Sequence, residues 1–470
     1  MTANGFDYDL VVIGSGPAGQ QGALCGAKLR KKVAIVDRKW PVGKGGARIG
    51  TIVSKTLREA VLSALRQRTF YGSSEGVRYH VEMFDLTSRV EGVIKRGAEA
   101  IQAQFTHNRV DTLEGEATFV DAHTVQIQGE QGSRLVTAGK FLIAVGAHSV
   151  TNDRIPQDGK RIYGSDQLLS LRELPGDLII VGAGLIGIEY ASLLAALGVK
   201  VTLVEQRSAL LGLVDREIVD NFYAGLRQLG VTFRLGEKVV ECAVDAKQNC
   251  VVAKLESGGS IRGEALLYTA GRQGNTDRLN LAAVGLEAIA GGKLKVNGQF
   301  CTAAPNIYAA GDVIGFPGEE LYYGSISMEQ GRLAACNMFG FAATSRPQLF
   351  PYAVYAIPEI SMVGKTEQDL AEAKIPYAVG IARYEALAKG QILGDDQGFL
   401  KLLFDPVSLK ILGVHIIGES AAEIIHIGQA ALSFGATIEY FRDTVFNYPT
   451  LAEAYKVAAS DGLSKVGREV

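Results

Sequence analysis

The sequence predicts an α/β protein with two Rossmann-type dinucleotide-binding domains, the second inserted in the first, and a C-terminal α+β dimerisation domain. Three observations lead to this prediction. A glycine-rich turn occurs twice in one register, strand-like apolar runs continue after the second turn, and the pattern changes beyond Phe350. At 470 residues the chain is too long for a single hydrophobic core, so several domains are expected.

The two glycine-rich turns belong to an internal duplication. Residues 9–19 read DLVVIGSGPAG and residues 177–187 read DLIIVGAGLIG, at an offset of 168 residues. The same offset relates Asp37 to Glu205. Each copy therefore has an apolar run, a glycine-rich turn, an Ala/Leu-rich stretch and a second apolar run that ends in an acid. This order predicts two β-α-β units.

Each part of this unit has a chemical reason in a dinucleotide site. The first glycine permits a tight turn, the second lets the backbone approach a pyrophosphate, and the third allows close helix packing. The helix N-terminus attracts the phosphates. The acid accepts the ribose hydroxyls and follows the first glycine by 23 residues in both copies, near the ~20 typical of such sites. The predicted binding residues are Gly14, Gly16, Gly19 and Asp37, and then Gly182, Gly184, Gly187 and Glu205.

The acid of the second copy bears on nucleotide choice. Glu205 favours NAD(H), because a carboxylate repels the 2′-phosphate of NADP(H). Arg207, two residues later, is a candidate partner for that phosphate. The alternative is a solvated surface arginine without a role in binding.

The domain order follows from later apolar runs that end at small residues. A domain inserted into another leaves the outer domain's return strands later in the sequence. We therefore expect an outer Rossmann domain over 1–150 and 273–345, and a second Rossmann domain inserted in it over 151–272; the family resemblance described below implies that the outer domain binds FAD and the inserted one NAD(P). The runs in question are 141–146 (FLIAVG, ending at Gly146), 265–271 (ALLYTAG, ending at Gly271) and 306–312 (NIYAAGD).

The C-terminal region, 346–470, has no nucleotide signature. Its pattern predicts antiparallel strands followed by helices, which makes a third, α+β domain. The predicted strands cover 352–363, 398–404 and 411–417, and the predicted helices cover 421–435 and 451–463.

Composition excludes several classes of partner. The formal net charge of -2 gives no reason to expect nucleic acid or an anionic membrane. Five scattered cysteines without metal-ligand spacing indicate no metal and a reducing, cytoplasmic compartment. The first residues lack a basic segment, so we expect no signal peptide. The apolar run 178–199 contains Glu189 and a glycine turn, which favours a buried strand and helix over a membrane span.

The motifs resemble those of the pyridine nucleotide–disulfide oxidoreductases over essentially the whole chain. The residues that carry the resemblance are the GSGPAG turn, the GAGLIGIE turn and the AAGD run. The resemblance implies that the first turn and Asp37 bind FAD, that Asp312 hydrogen-bonds its ribitol chain, and that the second turn binds the nicotinamide nucleotide. Thr51, Gly146 and Gly271 are also assigned to cofactor binding. The third domain is implied to form the interface of a homodimer or higher homo-oligomer.

The departures from this family concern its reaction chemistry. Disulfide-reducing members carry two cysteines five residues apart, and Gly46 and Thr51 stand at those positions here. The C-terminal signature has Tyr448 in place of the family's histidine, with Glu453 five residues later. A thiolate and an imidazole base are therefore both missing, which argues for a different reaction.

One branch of the family shares this pattern in part. Residues 446–463 (FNYPTLAEAYKVAASDGL) are similar to the soluble (Si-specific) pyridine nucleotide transhydrogenases. The resemblance implies FAD-dependent hydride transfer between NADPH and NAD, ping-pong through the flavin, with NAD(H) and NADP(H) as substrates. The chain departs from that branch at Gly46-Ala47-Arg48 and at Val53.

Two alternatives stay open. One is an NAD(P)H diaphorase or quinone reductase with an unknown acceptor, in which Lys44 and Arg48 bind an anionic substrate. The other is a flavin-bearing subunit without turnover.

Four residues are candidates for catalysis. Lys55 and Glu189 match a family pair near the flavin N5, where a cation stabilises negative charge; the alternative is that each is a plain helix charge. Because an unpaired carboxylate is costly inside an apolar helix, we expect Glu189 to be paired. Tyr448 is a candidate to contact the nicotinamide of the partner subunit, with Glu453 as its hydrogen-bond acceptor. The alternative for Tyr448 is simple packing at the dimer interface.

Overall fold

The computed structural model describes residues 5–38, 51–70, 83–150, 152–171, 173–315, 324–341 and 349–468. Its elements open with a strand, a helix and a parallel strand. The first stretch contains strands β1 (Tyr8–Ile13), β2 (Val33–Asp37), β3 (Asp111–Glu114), β4 (Glu116–Asp121), β5 (Thr124–Gly129), β6 (Gly132–Ile143) and β7 (Ala147–Ser149), with helices α1 (Pro17–Lys28), α2 (Thr51–Phe70) and α3 (Met83–His107).

The second stretch starts again with a strand, a turn and a helix. Its strands are β8 (Ile162–Gly164), β9 (Asp177–Val181), β10 (Lys200–Glu205), β11 (Thr232–Leu235), β12 (Val239–Asp245), β13 (Cys250–Leu255), β14 (Ser260–Gly263) and β15 (Ala265–Tyr268), with helices α4 (Leu185–Ala196) and α5 (Arg216–Gln228). The run 178–199 is thus a buried strand, a turn and a helix, as expected. In the part of the chain that the structure describes, no helix is long and apolar enough to cross a membrane.

The remaining elements return to the first sheet and then form the C-terminal region. They are β16 (Arg272–Gly274), β17 (Leu294–Lys295), β18 (Ile307–Ala309), β19 (Ile314–Gly315) and α6 (Gly324–Met338), followed by β20 (Tyr352–Val354), β21 (Ile360–Gly364), α7 (Glu367–Glu372), β22 (Ala378–Arg383), α8 (Ala388–Leu393), β23 (Phe399–Phe404), β24 (Ile411–Ile417), α9 (Ala421–Ser433), α10 (Glu439–Asp443) and α11 (Glu453–Lys465).

The sheet order gives the architecture. Strands β3-β2-β1-β6 pair in parallel, β18 joins β6 in parallel, and β5 and β4 extend β6 in antiparallel fashion. A separate parallel sheet has the order β11-β10-β9-β15-β8. Because β18 follows this second sheet in sequence yet pairs in the first, one unit is inserted in the other. The predicted fold class is confirmed, while the boundaries at 150, 272 and 345 stay predictions.

The C-terminal region forms an antiparallel sheet of order β20-β21-β24-β23-β22, covered by α9 and α11. The strand predicted over 352–363 is instead two strands, β20 and β21. Between them the Tyr355 and Ile357 N–H groups donate outside the sheet, to Glu189 and Ser192, and Pro358 has no N–H to give. The sequence pattern also missed β22 and the short helices α7, α8 and α10.

A buried charge cluster ties the C-terminal sheet to the second unit. Lys401 on β23 is fully buried, and its Nζ lies 2.8 Å from Asp215 Oδ1 and 2.9 Å from Glu217 Oε2. It also contacts Glu367. Burial lowers the pKa of Lys401, but these carboxylates raise it by more. Although the three carboxylates have the spacing of a cation site, the ammonium group already fills the space among them.

Helices α1 and α6 pack with their backbones in contact. A Cβ added at Gly331 of α6 would overlap the carbonyl oxygen of Ala18 on α1, so the close approach requires glycine there. Gly97 of α3 is different, because no atom lies within 4 Å of a Cβ added at that position.

We predict opposite effects of alanine at these two helical glycines. Gly331→Ala forces the helices apart and lowers the free energy of unfolding by about 1–3 kcal/mol. Gly97→Ala fills open space and raises it by up to ~1 kcal/mol, because alanine favours a helix. Denaturant unfolding of both variants measures the difference. Equal stability of the two variants would contradict the packing described here.

Candidate functional site

The two glycine-rich turns have one backbone conformation. Gly14 has φ +102° and Gly182 has φ +101°, a region that disfavours side chains. Each turn then enters a helix at an extended residue, Gly16 with φ −69° and Gly184 with φ −71°. The strand registers also agree, since Ile13 faces Val36 and the residues 168 positions later, Val181 and Val204, face each other as well. The duplication is therefore structural down to single residues.

The third glycine of each turn is fixed by packing. A Cβ added at Gly19 would overlap the carbonyl oxygen of Gly14, and one added at Gly187 would overlap that of Gly182. No other residue fits these positions without moving the turn.

The second glycine of each turn, Gly16 or Gly184, is not required by the backbone conformation or by the packing of the protein. Their φ and ψ angles suit any residue, a Cβ at Gly16 meets only the Ala144 carbonyl oxygen at 4.0 Å, and a Cβ at Gly184 meets nothing within 4 Å. Both lie at a helix N-terminus, where free N–H groups favour an anion. A phosphate that comes close to the backbone explains the glycine at each position, so the residues present fit a dinucleotide.

The acid of each unit is held against its turn. Asp37 Oδ2 accepts the Ser15 N–H at 2.9 Å and also contacts the Ser15 hydroxyl. Glu205 Oε2 accepts the Ala183 N–H at 2.7 Å, and Ala183 is the counterpart of Ser15 in the second turn. The acids therefore lie at the mouths of the turns, where they can reach a ribose.

Arg207 pairs with the acid of the second unit. Its Nε donates to Glu205 Oε1 at 3.0 Å, and a second guanidinium nitrogen donates to Oε2 at 3.1 Å. The Arg207 side chain is 58% exposed, whereas that of Glu205 is 6% exposed. Burial raises the pKa of Glu205, but hydrogen bonds from Arg207 and the Ala183 N–H hold it below its ordinary value. A buried carboxylate and an exposed cation thus share one site.

Lys55 and Glu189 form the second candidate centre, and the structure brings them together. Lys55 Nζ lies 2.7 Å from Glu189 Oε1 and 2.6 Å from Oε2. The Glu189 side chain is 8% exposed and that of Lys55 is 25% exposed. The Tyr355 N–H donates to the same Oε1 at 3.0 Å, and the Lys55 ammonium lies 4.6 Å from the centre of the Tyr355 ring. Sequence reasoning missed Tyr355, which lies in no recognisable motif.

The remaining predicted cofactor-binding residues lie where the chain crosses between the two units. Gly146 and Gly271 have positive φ angles, +67° and +97°, at the ends of the ribbon formed by β7 and β16. Asp312 follows β18, with its Oδ2 3.9 Å from Arg272 Nε and its Oδ1 3.5 Å from the Ser327 hydroxyl. The binding roles of these residues stay predictions.

Other predicted residues are not assembled with this centre. Tyr448 is 74% exposed, and in the described part of the chain it makes no hydrogen bond with Glu453. Thr51 begins α2, but its side chain lies outside the described residues, as do Lys44, Gly46, Ala47 and Arg48. The predicted acceptor role of Glu453 is thus not seen in a single chain.

Comparison with known proteins places this geometry in context. Residues 8–354 match the family described as "Pyridine nucleotide-disulphide oxidoreductase", and residues 350–459 match its dimerisation domain. A soluble pyridine nucleotide transhydrogenase of Mycobacterium bovis is 47% identical over 98% of both chains. One of Colwellia psychrerythraea is 44% identical over 98% of this chain and 99% of its own. Among solved structures, an HOCl-induced flavoprotein disulfide reductase of Escherichia coli, RclA, superposes with a TM-score of 0.85 at 28% identity, covering 96% of this chain and 99% of its own.

Alanine substitutions at Gly16 and Gly184 distinguish a role in folding from a role in nucleotide binding. We expect Gly16→Ala and Gly184→Ala to change the free energy of unfolding of the ligand-free protein by less than ~1 kcal/mol, because a Cβ fits both positions. Gly16→Ala should abolish retention of FAD during purification, whereas Gly184→Ala should retain FAD and raise KM for both nicotinamide nucleotides. Flavin absorbance and steady-state kinetics measure the two effects. Normal FAD retention by Gly16→Ala would contradict the assignment of the first turn.

Proposed function

We propose that this chain, which belongs to the pyridine nucleotide-disulphide oxidoreductase family, catalyses FAD-dependent hydride transfer between NADPH and NAD⁺ as a soluble pyridine nucleotide transhydrogenase. The observation that carries this function is the identity of 47% over 98% of both chains with such an enzyme. Two intact dinucleotide turns support it. So do Gly46 and Thr51, which stand where a dithiol would be needed for disulfide reduction.

The first unit is the FAD site of this proposal. FAD, when bound, supplies a ring system that accepts a hydride from one nicotinamide and returns it to another. Gly14, Gly16 and Gly19 would accommodate its pyrophosphate, and Asp37 would accept hydrogen bonds from its ribose. We further assign Thr51, Gly146 and Asp312 to this site.

The second unit is proposed to bind both nicotinamide nucleotides in turn. Glu205, anionic at neutral pH, accepts the ribose hydroxyls of NAD(H). Arg207 can leave Glu205 for the 2′-phosphate of NADP(H), because its side chain is largely exposed and a guanidinium binds phosphate well. We also assign Gly271 to this site. The carboxylate–guanidinium pair therefore supports acceptance of either nucleotide.

Lys55 and Glu189 supply the charge for the reaction in this proposal. A carboxylate that is almost fully buried holds the Lys55 ammonium at one point. We assign the ammonium to stabilise negative charge that develops during hydride transfer, and Glu189 to keep it there. Neither residue passes a proton in this proposal, so no thiol or imidazole is needed.

Assembly follows from the third domain. Residues 350–459 match a dimerisation domain, which indicates a homodimer. Large apolar side chains are exposed on this part of the single chain, among them Phe434 and Val445. We propose that a second copy covers this face, and that Tyr448 and Glu453 contribute to the partner's nicotinamide site. We also propose a cytoplasmic location, supported by five free cysteines.

Two substitutions test how nucleotides are distinguished. Glu205→Ala should strongly weaken the binding of NAD⁺ and leave the FAD content of the protein unchanged. Arg207→Ala should raise KM for NADPH about tenfold while changing KM for NADH much less, because a charged hydrogen bond is lost with only one of them. Arg262→Ala, an exposed arginine on β14, serves as control. Equal changes for both nucleotides in Arg207→Ala would show that it does not bind the phosphate.

An anaerobic titration tests the activity directly. NADPH is added to the purified flavoprotein, bleaching of the visible flavin band is followed, and a thio-analogue of NAD⁺ is then added. We expect bleaching, rapid recovery of the band and formation of the reduced thio-analogue. Bleaching without recovery would contradict transhydrogenation and favour a reductase with another acceptor. A protein that neither NADPH nor NADH bleaches would have no turnover.

A further inference from the structure

We propose that Tyr355, a residue of the C-terminal region, is a positioning residue for Lys55, holding its ammonium with the phenol ring while its backbone N–H holds Glu189. This inference rests on the proposed function, because it concerns the same charged pair. It assigns the C-terminal region of the same chain a part in the site, in addition to dimerisation.

The geometry encloses the Lys55 ammonium from two sides. Both carboxylate oxygens of Glu189 lie within 2.7 Å of Nζ, and the ring centre of Tyr355 lies 4.6 Å away. Glu189 Oε1 also accepts the Tyr355 N–H at 3.0 Å. A ring face attracts a cation, so it favours the lysine rotamer that places the ammonium over the ring. Tyr355 thus fixes both members of the pair with one residue.

The loop that carries Tyr355 is anchored to both nucleotide units. Arg58 Nε donates to the Ala356 carbonyl at 3.0 Å, and Arg58 also pairs with the buried Glu359 at 2.8 Å. The Ile357 N–H donates to the Ser192 hydroxyl at 3.0 Å. Arg58 lies on α2 with Lys55, three residues away on the same face, and Ser192 lies on α4 with Glu189.

These anchors explain why the ring position is defined. The residues after Tyr355 bond to the same two helices that carry Lys55 and Glu189, so these contacts hold the loop against the pair. Burial, and then nearby Glu359, raise the pKa of Tyr355, which keeps its hydroxyl neutral. The ring therefore adds a binding face for the cation without adding a negative charge.

Two substitutions at Tyr355 separate the ring from its hydroxyl. Tyr355→Leu removes the ring and keeps the backbone N–H, whereas Tyr355→Phe keeps the ring. We expect the midpoint potential of the bound flavin to become more negative in Tyr355→Leu and to stay at the wild-type value in Tyr355→Phe. We also expect kcat to fall roughly three- to tenfold in Tyr355→Leu with KM for NADPH unchanged.

A matched control tests whether removal of a different tyrosine ring also changes the flavin potential. Tyr223 on α5 lies over Arg227, 5.8 Å from ring centre to guanidinium, away from this junction. Tyr223→Leu should leave the flavin potential at the wild-type value. If Tyr355→Leu does not fold, Tyr355→Met removes the ring with a more flexible side chain and is measured instead.

A second readout needs no flavin and no acceptor. In the protein stripped of FAD, the rate of reductive methylation of Lys55, followed by mass spectrometry, should rise several-fold in Tyr355→Leu and not in Tyr355→Phe. Wild-type potential and labelling rate in Tyr355→Leu would overturn the proposal. A wild-type enzyme that fails to reduce NAD⁺ would overturn the transhydrogenase function and leave this result intact, so the two failures are distinguishable.

Discussion

The buried carboxylate of Glu189 is the constraint on which the centre of this protein depends. An unpaired charge on the buried face of an apolar helix costs on the order of several kcal/mol. The fold must therefore bring partners to it. Lys55 comes from α2 and the Tyr355 N–H from the C-terminal region. The Glu189 carboxylate thus joins three parts of the chain, which are α2, α4 and the C-terminal region.

The two units contain glycine-rich turns of nearly identical structure. Gly14 and Gly19, like Gly182 and Gly187, are required by the backbone, whereas the middle glycines are explained only by a ligand. The copies differ at the acid. Asp37 is held by Ser15 of its own turn, while Glu205 is held by Ala183 N–H and shares its charge with Arg207. An exposed cation beside the second acid suits a site that accepts nucleotides with and without a 2′-phosphate.

Much of the fold could be predicted from the sequence because it depends on residues that lie close together along the chain. The duplicated turns, the strand and helix over 178–199 and the inserted order follow from local patterns, and the need of Glu189 for a partner follows from its apolar helix. Other features depend on residues far apart in the chain, so no local pattern indicates them. They are the contacts of Tyr355, the Lys401–Asp215 contact and the break between β20 and β21. The Tyr448–Glu453 hydrogen bond was expected because Tyr448 stands where the family has a histidine. Tyr448 is exposed in the single chain, so the bond stays a prediction for the dimer.

We propose that one nicotinamide site, formed at the second turn, serves both nucleotides through the flavin. The most direct test is the anaerobic initial rate with NADPH and the thio-analogue of NAD⁺ varied against each other. We expect parallel double-reciprocal lines, with each nucleotide a competitive inhibitor of the other at high concentration. Intersecting lines would mean that both nucleotides bind at once, which requires a second nicotinamide site and contradicts a single shared one.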